Sequence, residues 1–255
     1  MKKLIDPVFY HHYCHNFFLG LFFIALISQV FFWKKTDHIR VRDQVVPHAP
    51  SDTIVKILSF GDQEFLFRIL ATNLQNLGDV YAGFLSLKKY DYSRLYLWMK
   101  ALDQLNHQSR LIPSLASYYY VNNDNPENIK FIVRYLDEHA SVDIDQYWWW
   151  MFQAIQITRI NLKDQQLAKN LAEKLAKNQA VDAPLWTKQL TAFISKEQGD
   201  DCMAFQVINK LIKDSENSTR PIKPEEMNFM RYFINQRLIS LKQKKFDPRK
   251  CNNPL

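Results

Sequence analysis

The sequence predicts an all-α protein: an uncharged apolar segment near the N-terminus, then one helical domain. Three observations predict it. The run 17–33, FFLGLFFIALISQVFFW, carries no charge. Beyond residue 50, apolar residues recur at spacings of three and four, the period of one helix face. Glycine is scarce, with 5 in 255 residues, against about 7% in an average chain. So few glycines argue against a phosphate-cradling loop, a dinucleotide-binding sheet or a turn-rich β-sandwich.

The apolar run is long enough for about 26 Å of helix, close to the roughly 30 Å of a bilayer's hydrocarbon core. Trp33 stands at its far end, where an indole prefers the interface, and Lys34 and Lys35 follow. A cleaved signal peptide would place small residues where Val30, Phe31, Phe32 and Trp33 stand. The expected location is therefore the inner (cell) membrane, in a single pass. Lys2, Lys3 and the α-amine on one flank are nearly matched by Lys34, Lys35, Arg40 and Arg42 on the other. The charge rule thus leaves the side of the domain undecided.

The chain divides into a tail (1–16), an anchor (17–33), a linker (34–50), a helical domain (51–241) and a basic tail (242–255). The linker, with Pro47 and Pro50, has no helical period. In the domain, a helix face over Asp62 to Leu77 ends at Gly78. Asp91 caps the next helix, and Pro113 opens a short one through Tyr120. Asn125 with Pro126 forms an N-cap and first-turn pair. Asp145, Asp164 and Asp200 cap three more, Pro184 begins a helix that ends near Gly199, and the last runs from about Pro224 to Leu241. Three consecutive tryptophans, Trp148, Trp149 and Trp150, span about 200° of a helix, so at least one must leave the core.

Helix starts at Asn125, Asp164 and Asp200 recur at intervals of 39 and 36 residues. Before each lies a partner: Pro113 to Tyr120, Tyr147 to Ile160, and Leu185 to Gln198. Two helices per 34–40 residues mark a helical solenoid. The turn Glu197 to Asp201, followed by Ala204 and Leu211, resembles the turn and second-helix alanine of the tetratricopeptide-repeat family. Asn161 to Asp164 with Ala168 and Ala172, and Asn123 to Pro126 with Ile129, are looser copies. Phe152, Ile155 and Gln156 match the family's first helix by spacing, whereas Trp186, Leu190 and Ala192 are shifted. The resemblance spans about 113–215 and implies antiparallel helix pairs in a right-handed solenoid. The chain also resembles bacterial membrane-anchored proteins of this general class, which implies no activity. An irregular helical bundle is the competing architecture.

Little in the chain points to chemistry. His11 with Cys14 or His15 has helical spacing that can hold a metal, but polar residues at a bilayer interface explain the set more simply. Asp143 with Asp145, and Asp200 with Asp201, lie at helix starts and read as caps rather than as an acid–base pair. The three cysteines, Cys14, Cys202 and Cys251, form no metal-binding spacing, and whether Cys202 pairs with Cys251 is open. Motifs of nucleophilic, zinc-protease and nucleotide-binding enzymes are missing. A net charge of +7 is spread without a basic stripe, which disfavours nucleic acid.

The expected function is therefore a membrane-tethered adaptor or scaffold. No enzyme activity, cofactor, metal or small-molecule substrate is expected. Its partners are other proteins, bound as a peptide or helix, and membrane lipid through the anchor. A structural or assembly subunit of a larger membrane complex is the alternative. The first helices of the tetratricopeptide family line its concave surface. The resemblance thus implies a groove that includes Tyr119, Gln153, Arg159 and Lys188. Aromatics beside amides and cations are hot-spot chemistry.

Overall fold

The computed structural model describes residues 7–36, 45–80, 83–180, 183–216, 222–244 and 251. They form two separate units, divided between residues 44 and 45.

The first unit is a single helix, α1 (Pro7–Thr36). Its segment Phe17–Lys35 is long and apolar enough to cross a membrane, and none of it is buried. The large side chains from Phe17 to Trp33 are exposed all round the helix. His11, Cys14 and His15 fall on this helix, but their side chains lie outside the described residues.

The second unit is all-helical. It comprises α2 (Asp52–Leu58), α3 (Gln63–Gln75), α4 (Tyr92–Leu105), α5 (Leu111–Ser114), α6 (Pro126–Ser141), α7 (Ile144–Ile157), α8 (Gln165–Leu175), α9 (Trp186–Glu197), α10 (Asp201–Glu216) and α11 (Pro224–Gln243). The one extended pairing among the described residues is a two-residue antiparallel ladder, Asp79 with Phe84 and Val80 with Gly83. From α6 onward each helix packs mainly on its neighbours in sequence.

The caps follow local chemistry. Asp62, Asp91, Asn125 and Asp164 each accept from backbone N–H groups of the turn they open. Asp200 accepts from Met203 N at 2.9 Å. At α7 the cap is Asp143 rather than Asp145. Asp145 instead accepts from Gln179 N, 2.6 Å away, beyond the end of α8. At the other end of α3, tyrosines add hydrogen bonds. Tyr120 donates to Leu74 O at 2.6 Å, and Tyr90 donates to Leu77 O, just past the end of the helix. Gly78 follows with φ +82°, and a Cβ there would run into the Tyr90 hydroxyl.

Two helices end in π turns, Leu115–Tyr120 after α5 and Thr158–Leu162 after α7. In the first, Ser117 Oγ donates to Pro113 O at 2.6 Å. In the second, Thr158 Oγ1 donates to Ala154 O at 2.7 Å. Both hydroxyls reach the carbonyl one turn back, a bond that competes with the helical N–H and bends the helix.

The main core runs from Val46 to Ile194, and a smaller one joins Ala192, Ala204, Ile208, Met230 and Phe233. Leu95, Met99 and Leu102 on α4 are fully buried, worth about 1.5–3 kcal/mol each. The domain extends past both boundaries expected from sequence. Val46, in the segment read as linker, is core. Its carbonyl accepts from Arg94, and that of Pro47 accepts from Trp98 Nε1 at 2.9 Å. Cys251, in the segment read as a basic tail, is buried and disulfide-bonded to Cys202, with Cα atoms 5.3 Å apart.

Candidate functional site

Two arrangements stand out in the second unit: an aromatic row on its surface and a buried carboxylate–imidazole cluster.

The row begins at the first π turn. Its last residue, Tyr120, points inward to α3, which leaves Tyr118 and Tyr119 exposed. Trp149 Nε1 donates to the Tyr118 hydroxyl at 3.1 Å. The three tryptophans part company as helix geometry requires: Trp150 is 8% exposed, Trp149 is 39% exposed and Trp148 lies between. Trp149 packs on Phe152, with ring centres 5.4 Å apart, and Phe152 packs edge-on against Trp186 of α9 at 4.8 Å. Trp148 also meets Trp186, at 6.2 Å. Tyr118, Trp149, Phe152 and Trp186 thus form one continuous row over the π turn, α7 and α9.

Three of the four residues expected in a groove lie on these same elements. Tyr119 is exposed, and Gln153 and Lys188 are half-buried on α7 and α9. Arg159, in the second π turn, is committed elsewhere. Its guanidinium pairs with Glu197 at 2.5 Å and reaches Gln156 at 3.4 Å. This pair ties the end of α7 to the end of α9.

The buried cluster sits where α4 and α6 end and α7 begins. Asp103 is in the last turn of α4, His107 follows four residues later in a turn, and His139 is in the last turn of α6. Asp103 Oδ2 lies 2.8 Å from His139 Nδ1 and 3.4 Å from His107 Nδ1. Asp103 Oδ1 accepts from the Tyr135 hydroxyl at 2.8 Å. The two imidazole rings lie 4.3 Å apart, tilted by 35°, and the Tyr147 ring stands 4.8 Å from each.

A carboxylate oxygen can only accept, so each neutral imidazole facing it carries its proton on Nδ1. Nε2 is then an acceptor, and both Nε2 atoms are buried with no hydrogen-bond partner. Burial, reinforced by His139, pushes the His107 imidazole below its usual value against the pull of Asp103. Burial, with Asp103 adding to it, drives the Tyr135 hydroxyl well above its usual range. Sequence reasoning missed these residues. The one local trace was an Asp and a His four apart at a helix end; His139 joins them from 32 residues further on.

A separate polar knot holds α11. Asp201, read from sequence as part of a capping set, is 5% exposed. It accepts from Arg237 at 2.9 Å, Ser240 at 2.7 Å and Lys244 at 2.7 Å. Burial works to raise its carboxyl, but those partners outweigh burial and hold it below the usual range.

Compared with known protein families, curated proteins and solved structures, the chain gives no match.

Proposed function

We propose that this chain is a membrane-tethered interaction module. In this reading α1 spans the bilayer, and α6 to α10 with the first π turn form a tetratricopeptide-like solenoid. The groove of the solenoid holds a peptide or helix of another protein. The observation that carries the reading is the aromatic row. Its members come from three elements separated in sequence, which are the first helices of three successive pairs. Aromatic side chains offer large contact area at little entropic cost, and a row flanked by Gln153 and Lys188 suits a partner with apolar anchors and acidic ends.

The same reading places the domain on the oxidising side of the membrane, because structural disulfides persist there and are rare in a reducing cytosol. The Cys202–Cys251 bond supports that side. A permanent structural subunit is the second reading. The further exposed apolar residues Phe229, Tyr232 and Ile239 on α11 favour it.

Site-directed photo-crosslinking in intact membranes tests the groove. Probes at Tyr119 and Lys188 are expected to capture the same partner, and a probe at exposed Glu173 on α8 is expected to capture none. Equal capture from Glu173 would place the contact elsewhere and sink the proposal.

A further inference from the structure

We propose that Asp103, His107 and His139 form a binding site for one divalent transition-metal ion of the zinc class. Each residue offers one ligand atom, and these atoms lie within 4.8 Å of one another. Asp103 Oδ2 is already 2.8 Å and 3.4 Å from the two Nδ1 atoms. Ligands about 2.0–2.2 Å from a tetrahedral zinc stand about 3.3 Å from each other, so the widest pair has to close from at most 4.8 Å. His107 can supply that movement. It sits in a turn rather than in a helix, and its side chain is 26% exposed, whereas that of His139 is fully buried.

Three further features belong to a cation site rather than to an inert core. Two imidazoles and a carboxylate are the donor set that zinc accepts, with a fourth position left to water. Tyr135 holds the other carboxylate oxygen, the outer-shell bond that fixes a ligating carboxylate. The C-terminal ends of α4 and α6 both arrive here, and the carbonyl ends of helices favour positive charge.

In the hydrogen-bonded arrangement both Nε2 atoms are buried without a hydrogen-bond partner. An ion taken at Nδ1 shifts the remaining proton of each neutral imidazole to Nε2, with no net proton lost.

Zinc titration of the full-length chain in detergent, against a chromophoric chelator, tests the site. His11, His12, Cys14 and His15 are first replaced by Ala or Ser, because this tail offers competing donors. The expected result is one equivalent of zinc bound, weakened at least ~100-fold by His107→Gln. Loss of an outer-shell partner alone costs about 10–100-fold, and loss of a ligand costs more. Circular dichroism checks that the variant keeps its helices. Cobalt(II) gives a readout that needs no variant in the cluster: an intense visible absorption from a tetrahedral site, erased by added zinc. Absence of zinc binding once the tail is replaced, equal binding by folded His107→Gln, or a pale cobalt spectrum that zinc does not alter would each overturn the proposal.

Discussion

Glu138 on α6 collects three donors from its surroundings. Lys100 reaches it at 2.7 Å, Tyr96 at 2.7 and 2.8 Å, and Arg134 at 2.9 Å. Partial burial works to raise its carboxyl, but these hydrogen bonds outweigh burial and hold it down to about 2. A carboxyl depressed in the folded state contributes stability that is fully present above its unfolded value, near 4.3. That stability is lost as pH falls toward about 2. Because the side chain is about one-third exposed, solvent screening limits the effect to about 1–2 kcal/mol. Glu138→Gln is therefore expected to lower the thermal midpoint at pH 7 by several degrees and by progressively less below pH 4. An equal loss at pH 3 and pH 7 would show that the carboxylate charge is not what matters.

On the scale of elements, α8 and α10 each bring a fully buried alanine to a neighbouring helix, Ala168 and Ala204. Ala204 shares its small core with Ala192 of α9 and Met230 of α11. Small residues at such a helix–helix contact let the helices approach closely. Ala204→Leu should overpack this contact by about 1–3 kcal/mol, a fall of roughly 2–12 °C in the melting midpoint for a domain of this size. A leucine accepted without loss would mean that the helices are not held at that distance. Helix starts were legible in the sequence because Asp62, Asp91, Asn125 and Asp164 act on the next two or three residues, a signal confined to one turn. The split of Trp148, Trp149 and Trp150 was legible for the same reason, since 100° per residue is local geometry. The π turns were not. Ser117 and Thr158 are ordinary helix residues by type, and nothing nearby marks them as the points where the winding loosens. The row from Tyr118 to Trp186 was half legible, as aromatics on first helices without their order. The cluster of Asp103, His107 and His139 needed α6 to be placed against α4, which no spacing along the chain reports. Arg159 illustrates the converse: the resemblance puts it in the groove, and only packing supplies its partner Glu197.

For the whole molecule, the Cys202–Cys251 bridge closes a loop of 49 residues. Such a closure is worth about 4 kcal/mol by loss of unfolded-state entropy, and 2–4 kcal/mol is the usual yield. Replacing both cysteines by serine is expected to lower the melting midpoint under non-reducing conditions and to abolish its sensitivity to reductant. In sealed cells, both thiols should resist alkylation until a reductant is added. Free alkylation of Cys202 or Cys251 without reductant would return the domain to the reducing side. Sequence alone left this bridge open, because two cysteines 49 residues apart can pair only if α11 folds back between them. The bridge also sets how force travels. A pull applied beyond Cys251 enters the helical unit at Cys202, the start of α10, and α11 hangs in a closed side branch that carries no tension. A pull from α1 enters at Val45. Under load between the two ends, the stretch from Val45 to Cys202 is the cable; Asp201 lies at its end, and its partners Arg237, Ser240 and Lys244 sit in the side branch.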